Sequence, residues 1–172
     1  MSPQHIYQFE LNVETGVLGS LKALDATLPA YKRLDNTASL PRTYLVVEAS
    51  PFTPASDHMA FAQDGTPFRC HYSGQVAIHI QTPRDAGATA EAYHHALVAL
   101  VRRVLGTPLS LQLPPYGILD IKEGGGSITF QKDGDRDRSE LNFDLQLGIP
   151  SGLLDYSAPT TLPPIPPEPT VV

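Results

Sequence analysis

A thiol followed at once by an imidazole, Cys70 and His71, is the first pair in this sequence whose types can do chemistry. A thiolate becomes a working nucleophile when an adjacent base takes its proton and a third group orients that base. Here the two side chains meet only if the backbone turns sharply, and no third group stands at a motif spacing, so Cys70 is read as an inert packing residue. The run Asp133, Asp135, Asp137 followed by Glu140 sets carboxylates at alternating positions, the pattern a hard cation such as calcium requires. An EF-hand loop needs glycine at its sixth place and glutamate at its twelfth, whereas Arg138 and Asp144 stand there. Arg136 and Arg138 also offset the carboxylates, so this stretch reads as a solvated hairpin turn.

Three further groups invite the same test. His94 and His95 are neighbours, and on a helix they point about 100° apart, which prevents one metal from taking both and suggests a boundary or surface role. Gly124, Gly125 and Gly126 lack the lysine and the following helix of a phosphate cradle, and they read as a hairpin turn that uses positive φ. Asp120, Glu123 and Asp144 read as exposed charge on a sheet face rather than as a pair of catalytic acids. The expectation is a protein with no catalytic residue, no metal site and no cofactor, and so not an enzyme.

The elements that carry these residues are read from hydrophobic period. Val17, Leu21, Leu24 and Leu28 fit one face of a helix over 14–28, ended by Pro29. The β-branched run RTYLVVEAS predicts a strand over 42–50, its inner part able to be buried on both faces. Residues 51–73 hold three prolines and the turn pair Asp64 and Gly65, with no sustained period, and read as a long loop or a projecting hairpin. In the strand over 74–83, Val76, Ile78 and Ile80 share one face and Gln75, Ala77, His79 and Gln81 the other. Tyr93, Leu97, Leu100, Val101 and Val104 predict an amphipathic helix over 89–105, closed by Gly106 and Pro108. Strands follow over 116–122, 127–132 and 139–149, and in the last of them Leu141, Phe143, Leu145, Leu147 and Ile149 alternate with polar positions. This order predicts an α+β domain over residues 1–150: a mainly antiparallel β-sheet with two helices packed on one face.

Composition narrows the class. The net charge of −6 argues against a protein that grips nucleic-acid phosphates, which needs clustered Lys and Arg. Charged residues are only 17% of the chain, against about 25% in an ordinary one, which suggests a surface partly covered by neighbours. One cysteine allows no intramolecular disulfide and suits a reducing cytoplasm, and neither a signal peptide nor a membrane span is expected. Residues 151–172 form an arm with six prolines, barred from a helix or a central strand and suited to extended polyproline-II geometry. Leu153, Leu154, Tyr156, Leu162 and Ile165, with Val171, are its apolar anchors and the expected contacts to another subunit.

The stretches LPRTYLVVEAS, GQVAIHIQTPRD and TAEAYHHALVALVRRVLG, with a closing RSELNFDLQLGI that starts at Arg138, Ser139 and Glu140, resemble the tail terminator and related neck proteins of tailed bacteriophages. The likeness covers residues 14–149; the insertion at 51–73 and the proline-rich arm depart from that family's core. It implies a small α+β subunit of a virion, built into a hexameric ring of identical chains at the head-proximal end of the tail. Its implied partners are the tail tube protein and a head connector or head completion protein, with assembly in the host cytoplasm. DNA passes such a ring without specific binding, and an acidic channel suits that passage. Other readings are a different head-tail joining or baseplate subunit, and a cellular ligand-binding domain with a pocket between helix and loop.

Overall fold

The computed structural model describes residues 4–5, 9–33, 41–56, 58–84, 88–106 and 110–155. In chain order the elements are β1 (Gln4–His5), α1 (Phe9–Leu24), β2 (Ala30–Lys32), β3 (Tyr44–Ala49), β4 (Thr53–Ser56), β5 (Ala60–Phe61) and β6 (Pro67–Phe68). Then come β7 (Cys70–Pro83), α2 (Ala88–Leu105), β8 (Gly117–Glu123), β9 (Ile128–Asp133), β10 (Arg136–Ile149) and β11 (Leu154–Asp155). The fold is α+β, with two helices and a mainly antiparallel sheet.

Two strands of 14 residues each, β7 and β10, make the spine of the sheet. They pair antiparallel over their full length, from Arg136 opposite Pro83 to Ile149 opposite Cys70. Each outer edge of this spine is taken by two shorter strands laid end to end. β3 pairs with residues 76–81 of β7 and β4 with residues 71–73, while β8 pairs with residues 143–148 of β10 and β9 with residues 136–140. β2 adds a parallel strand outside β3. The glycines at 124–126 therefore do not reverse the chain as a hairpin turn: β8 and β9 run in the same direction along one edge of β10, and Gly126 (φ 88°) lies in the break between them. The reversal comes later, at Gly134 (φ 60°), between β9 and β10.

The faces sort by parity. Leu45, Val47 and Ala49 of β3 lie beside Ile80, Ile78 and Val76 of β7, and Leu141 and Phe143 of β10 continue the same surface. Both helices cover this face, α1 through Phe9, Val13, Val17 and Leu21 and α2 through Leu97, Val101 and Val104. β3 is buried on this side only, not on both. α1 begins five residues before the expected start at Glu14, because Phe9 and Val13 extend the stripe of Val17 and Leu21 backwards; Leu24 ends the helix half exposed, and Leu28 is buried beyond it.

The break between β3 and β4 leaves backbone donors that a continuous strand would have used. Two carboxylates one turn apart on α1 take them: Ala49 N–H donates to Glu14 Oε1 at 2.9 Å and Phe52 N–H to Glu10 Oε1 at 3.0 Å. Glu14 is fully buried, with Arg33 at 3.7 Å from the same oxygen. Glu14→Ala leaves the Ala49 donor unmet and is expected to lower unfolding free energy by about 1–3 kcal/mol in denaturant titration. Glu10→Ala, at a wetter site, should lower it by less.

Candidate assembly surface

Among the described residues the second face of the sheet carries no helix. Its residues are Tyr44, Val46 and Glu48 on β3, Gln75, His79 and Gln81 on β7, and Arg138, Glu140, Asn142 and Asp144 on β10. Across the spine these side chains pair by register: Asp144 accepts from Gln75 at 3.1 Å, Arg138 faces Gln81 at 3.4 Å, and Tyr44 donates to Gln81 at 3.1 Å. His79 stands between Glu48 (3.5 Å) and Glu140 (3.7 Å). Cross-strand pairs of this kind fix register on a wet sheet face.

One end of this open face is covered by the insertion. Residues 51–73 form β4 and then the small hairpin of β5 and β6, whose turn uses Gly65 (φ 84°) with the Asp64 carboxylate accepting from Thr66 N–H at 2.9 Å. At its base the Phe68 ring is seated on two strand glycines: a Cβ built on Gly148 or on Gly117 would lie 2.3 Å from a Phe68 ring atom. Glycine inside a strand commonly marks such a close approach. The far part of the hairpin stays outside the domain, with Phe61 63% and Met59 48% exposed.

Among the described residues nothing covers the other end of the open face, which forms a groove of about 630 Å³. Tyr44, Val46 and Ile128 give it apolar walls, and Arg42, Arg136 and Arg138 give it cationic ones. Arg138 meets Asp133 at 3.0 Å and Arg136 meets Asp135 at 3.7 Å, each guanidinium having more N–H donors than these contacts use. Sequence reasoning missed this groove, since its walls come from β3, β7, β9 and β10 and no local pattern joins them.

The chemical candidates fall apart in space. Cys70 and His71 are consecutive in β7 and so point to opposite faces; Cys70 packs against the helix-side core. His71 is buried with Nε2 3.1 Å from the Phe68 carbonyl, which makes Nε2 the donor and leaves Nδ1 as the bare ring acceptor. Asp133 and Asp135 remain at the turn as read, but Asp137 turns inward, 1% exposed, toward Arg84 at 3.4 Å. Glu123 is held by both arms of Arg102 of α2, at 2.8 and 2.9 Å, and this hydrogen bonding keeps its carboxyl below the usual range. Among the described residues no three His, Cys, Asp or Glu side chains are grouped to hold a metal ion, and no helix is long and apolar enough to cross a membrane.

His94 departs most from its reading. It is fully buried between two hydroxyls, with Nδ1 2.8 Å from Thr82 Oγ1 and Nε2 2.7 Å from Ser139 Oγ. Each hydroxyl can donate or accept, so either neutral tautomer is satisfied. Burial pushes the imidazole below its ordinary pKa, Asp137 pulls it partly back, and His95 pushes it down again. α2 is thus rotated from the expected stripe: Tyr93 lies half exposed and His94 takes the inward place.

The arm's anchors divide at its root. Leu153 is 3% exposed and packs within the chain's own core. Leu154 lies in β11, which pairs in parallel with β1. Tyr156, Leu162 and Ile165, with Val171, lie outside the described residues.

Among solved structures the chain is similar to one described as the virion of a native gene transfer agent particle, at 20% identity and a TM-score of 0.45, over 78% of this chain and 93% of that one. A second solved chain is similar at 19% identity and a TM-score of 0.40, over 81% of this chain and 93% of that one. No family model and no curated protein matches the sequence.

Proposed function

We propose that this chain is a structural subunit of a tailed-phage virion, the tail terminator, which forms a ring at the head-proximal end of the tail. In this reading identical subunits, six to a ring, cap the tail tube protein and present a surface to the head connector or head completion protein. The observation that carries it is the two-faced sheet. One face is filled by both helices, while among the described residues the other is left open between a projecting apolar hairpin and a groove, as in a subunit whose second layer comes from neighbours. The net charge of −6 suits a channel through which DNA slides unbound. The role is structural rather than enzymatic, and the arm residues Leu154, Tyr156, Leu162 and Ile165 strap one subunit to the next.

Sedimentation of the purified full chain is expected to show a closed ring, and electron microscopy should show it capping one end of purified tail tubes. A monomer at high concentration that leaves tubes bare would refute the reading. Deleting residues 156–172 keeps Leu153 in the core, so the variant should melt within a few degrees of the full chain yet fall to monomers or small oligomers, an effect of order tenfold or more in association constant. Particles made without the protein separate the terminator from another joining or baseplate subunit: overlong tails mark the former, tails of normal length without heads the latter.

A further inference from the structure

We infer that the groove at the open end of the sheet receives the segment Leu162 to Pro167 from the arm of a neighbouring copy. This deepens the assembly reading above and rests on it.

The first ground is chemical fit. The segment LPPIPP has four prolines, which donate no backbone hydrogen bonds and leave extended carbonyls in need of outside donors. Such segments dock in grooves that combine an aromatic ring with polar donors, not along strand edges where an N–H ladder is required. The groove combines them: Tyr44 supplies the ring, Arg136, Arg138, Gln131 and Gln81 supply donors, and Val46 and Ile128 supply apolar seats for Leu162 and Ile165. Its volume, about 630 Å³, lies in the range of sites that enclose a ligand of several residues' side chains. The second ground is charge. The groove's lining holds three arginines against one glutamate, with Asp133 and Asp135 paired to Arg138 and Arg136 beside it and Arg42 adding charge. The chain's net charge is −6, and Glu168 is the only charged side chain after Asp155. It follows the docking segment directly.

The third ground is reach, and it makes the contact intermolecular. The arm leaves from the Ile149 end of β10, where Leu153 is fixed in the helix-side core, whereas the groove sits around Arg138 at the opposite end and on the opposite face. Along β10 that separation is about 36 Å at the usual strand rise. From Asp155, polyproline-II geometry carries Leu162 about 22 Å and Ile165 about 31 Å before any crossing of the sheet. The nearest wall of its own groove, at the Glu140 register, lies about 30 Å along β10. Ile165 could match it only at full extension and before any crossing from the helix side to the open face, a demand that a neighbour's groove does not impose.

The test places the photo-crosslinking residue benzoylphenylalanine at position 165 of the full chain and mixes ordinary with nitrogen-15-labelled protein. Crosslinked peptides are then read by mass spectrometry while sedimentation of the same mixture reports association. The expected result is coupling from position 165 to residues 41–46 or 128–140, joining light chains to heavy ones, with a yield that Tyr44→Ala or Arg138→Glu lowers about tenfold. Coupling confined to a single chain, or directed to the helices or the hairpin, overturns the assignment while an associated mixture leaves the ring reading standing. A monomeric mixture without coupling overturns both.

Discussion

Gly148→Val is expected to expel the Phe68 ring from its seat and to lower unfolding free energy by about 2–4 kcal/mol, from lost burial of one aromatic side chain together with local overpacking. A β-branched residue in a strand is ordinarily favourable, so a loss of this size isolates the steric cause. A Cβ at Gly148 meets Phe68 Cγ at 2.3 Å, Cδ2 at 2.5 Å and Cβ at 2.8 Å, and with the side chain's own root among them a small adjustment cannot relieve the clash. The decisive measurement is a double-mutant cycle with Phe68→Ala. In that background Gly148→Val should become neutral or stabilising by up to about 1 kcal/mol, since a β-branched residue orders a strand at less entropic expense than glycine. An equal loss in both backgrounds would show that the ring is not what the glycine accommodates. Proteolysis between residues 57 and 67 should accelerate in Gly148→Val, because the hairpin loses its anchor to the sheet.

His94→Ala should be more damaging, about 3–5 kcal/mol, since it opens a cavity in the core and removes the hydrogen bonds that the ring makes with Thr82 and Ser139. The same residue gives the fold a pH dependence of known sign. The unfolded chain takes a proton on this imidazole near pH 6.5, while the buried folded form resists it. Stability is therefore full above that value and declines as pH falls below about 6.5, by at most about 1.4 kcal/mol per pH unit, until the lowered folded-state pKa is reached. Thermal melts from pH 8 to pH 5 follow this loss, and His94→Gln, less stable throughout, should flatten the part of the slope that His94 causes. An unchanged slope in that variant, together with an imidazole titrating near 6.5 by NMR in the native protein, would place the pH dependence elsewhere.

Much of this fold is legible in local pattern because the pattern and the burial coincide. The alternation from Leu141 to Ile149 names the inward face of β10, and the pattern over 74–83 does the same for β7, whose first residues from Cys70 escape notice because Tyr72 and His71 are both buried. What escapes local reading depends on partners distant in sequence. Three glycines in a row read as a reversal, yet whether two flanking strands fold back on each other or lie end to end is decided by β10, which neither strand contains. An inward histidine is legible only when its two hydroxyls, 12 and 45 residues away, are known to be beside it. Phe68 had a usable signal: Gly117 and Gly148 each sit in a strand without a turn to explain them. The arm divides on the same principle, Leu153 belonging to the domain because its neighbours in space, not in sequence, are apolar.

The full-length pairing of β7 with β10 has a mechanical consequence. The arm leaves from one end of β10 and the groove opens at the other end of the spine, so a pull between them runs parallel to the strands. Where the grip falls on β7 or β3, the load reaches β10 through antiparallel rungs that lie perpendicular to the pull, so those rungs are loaded in shear instead of being peeled apart one by one. A subunit tethered by its arm on one side and gripped at its groove on the other would bear tension along its stiffest axis, leaving the helices and the hairpin slack.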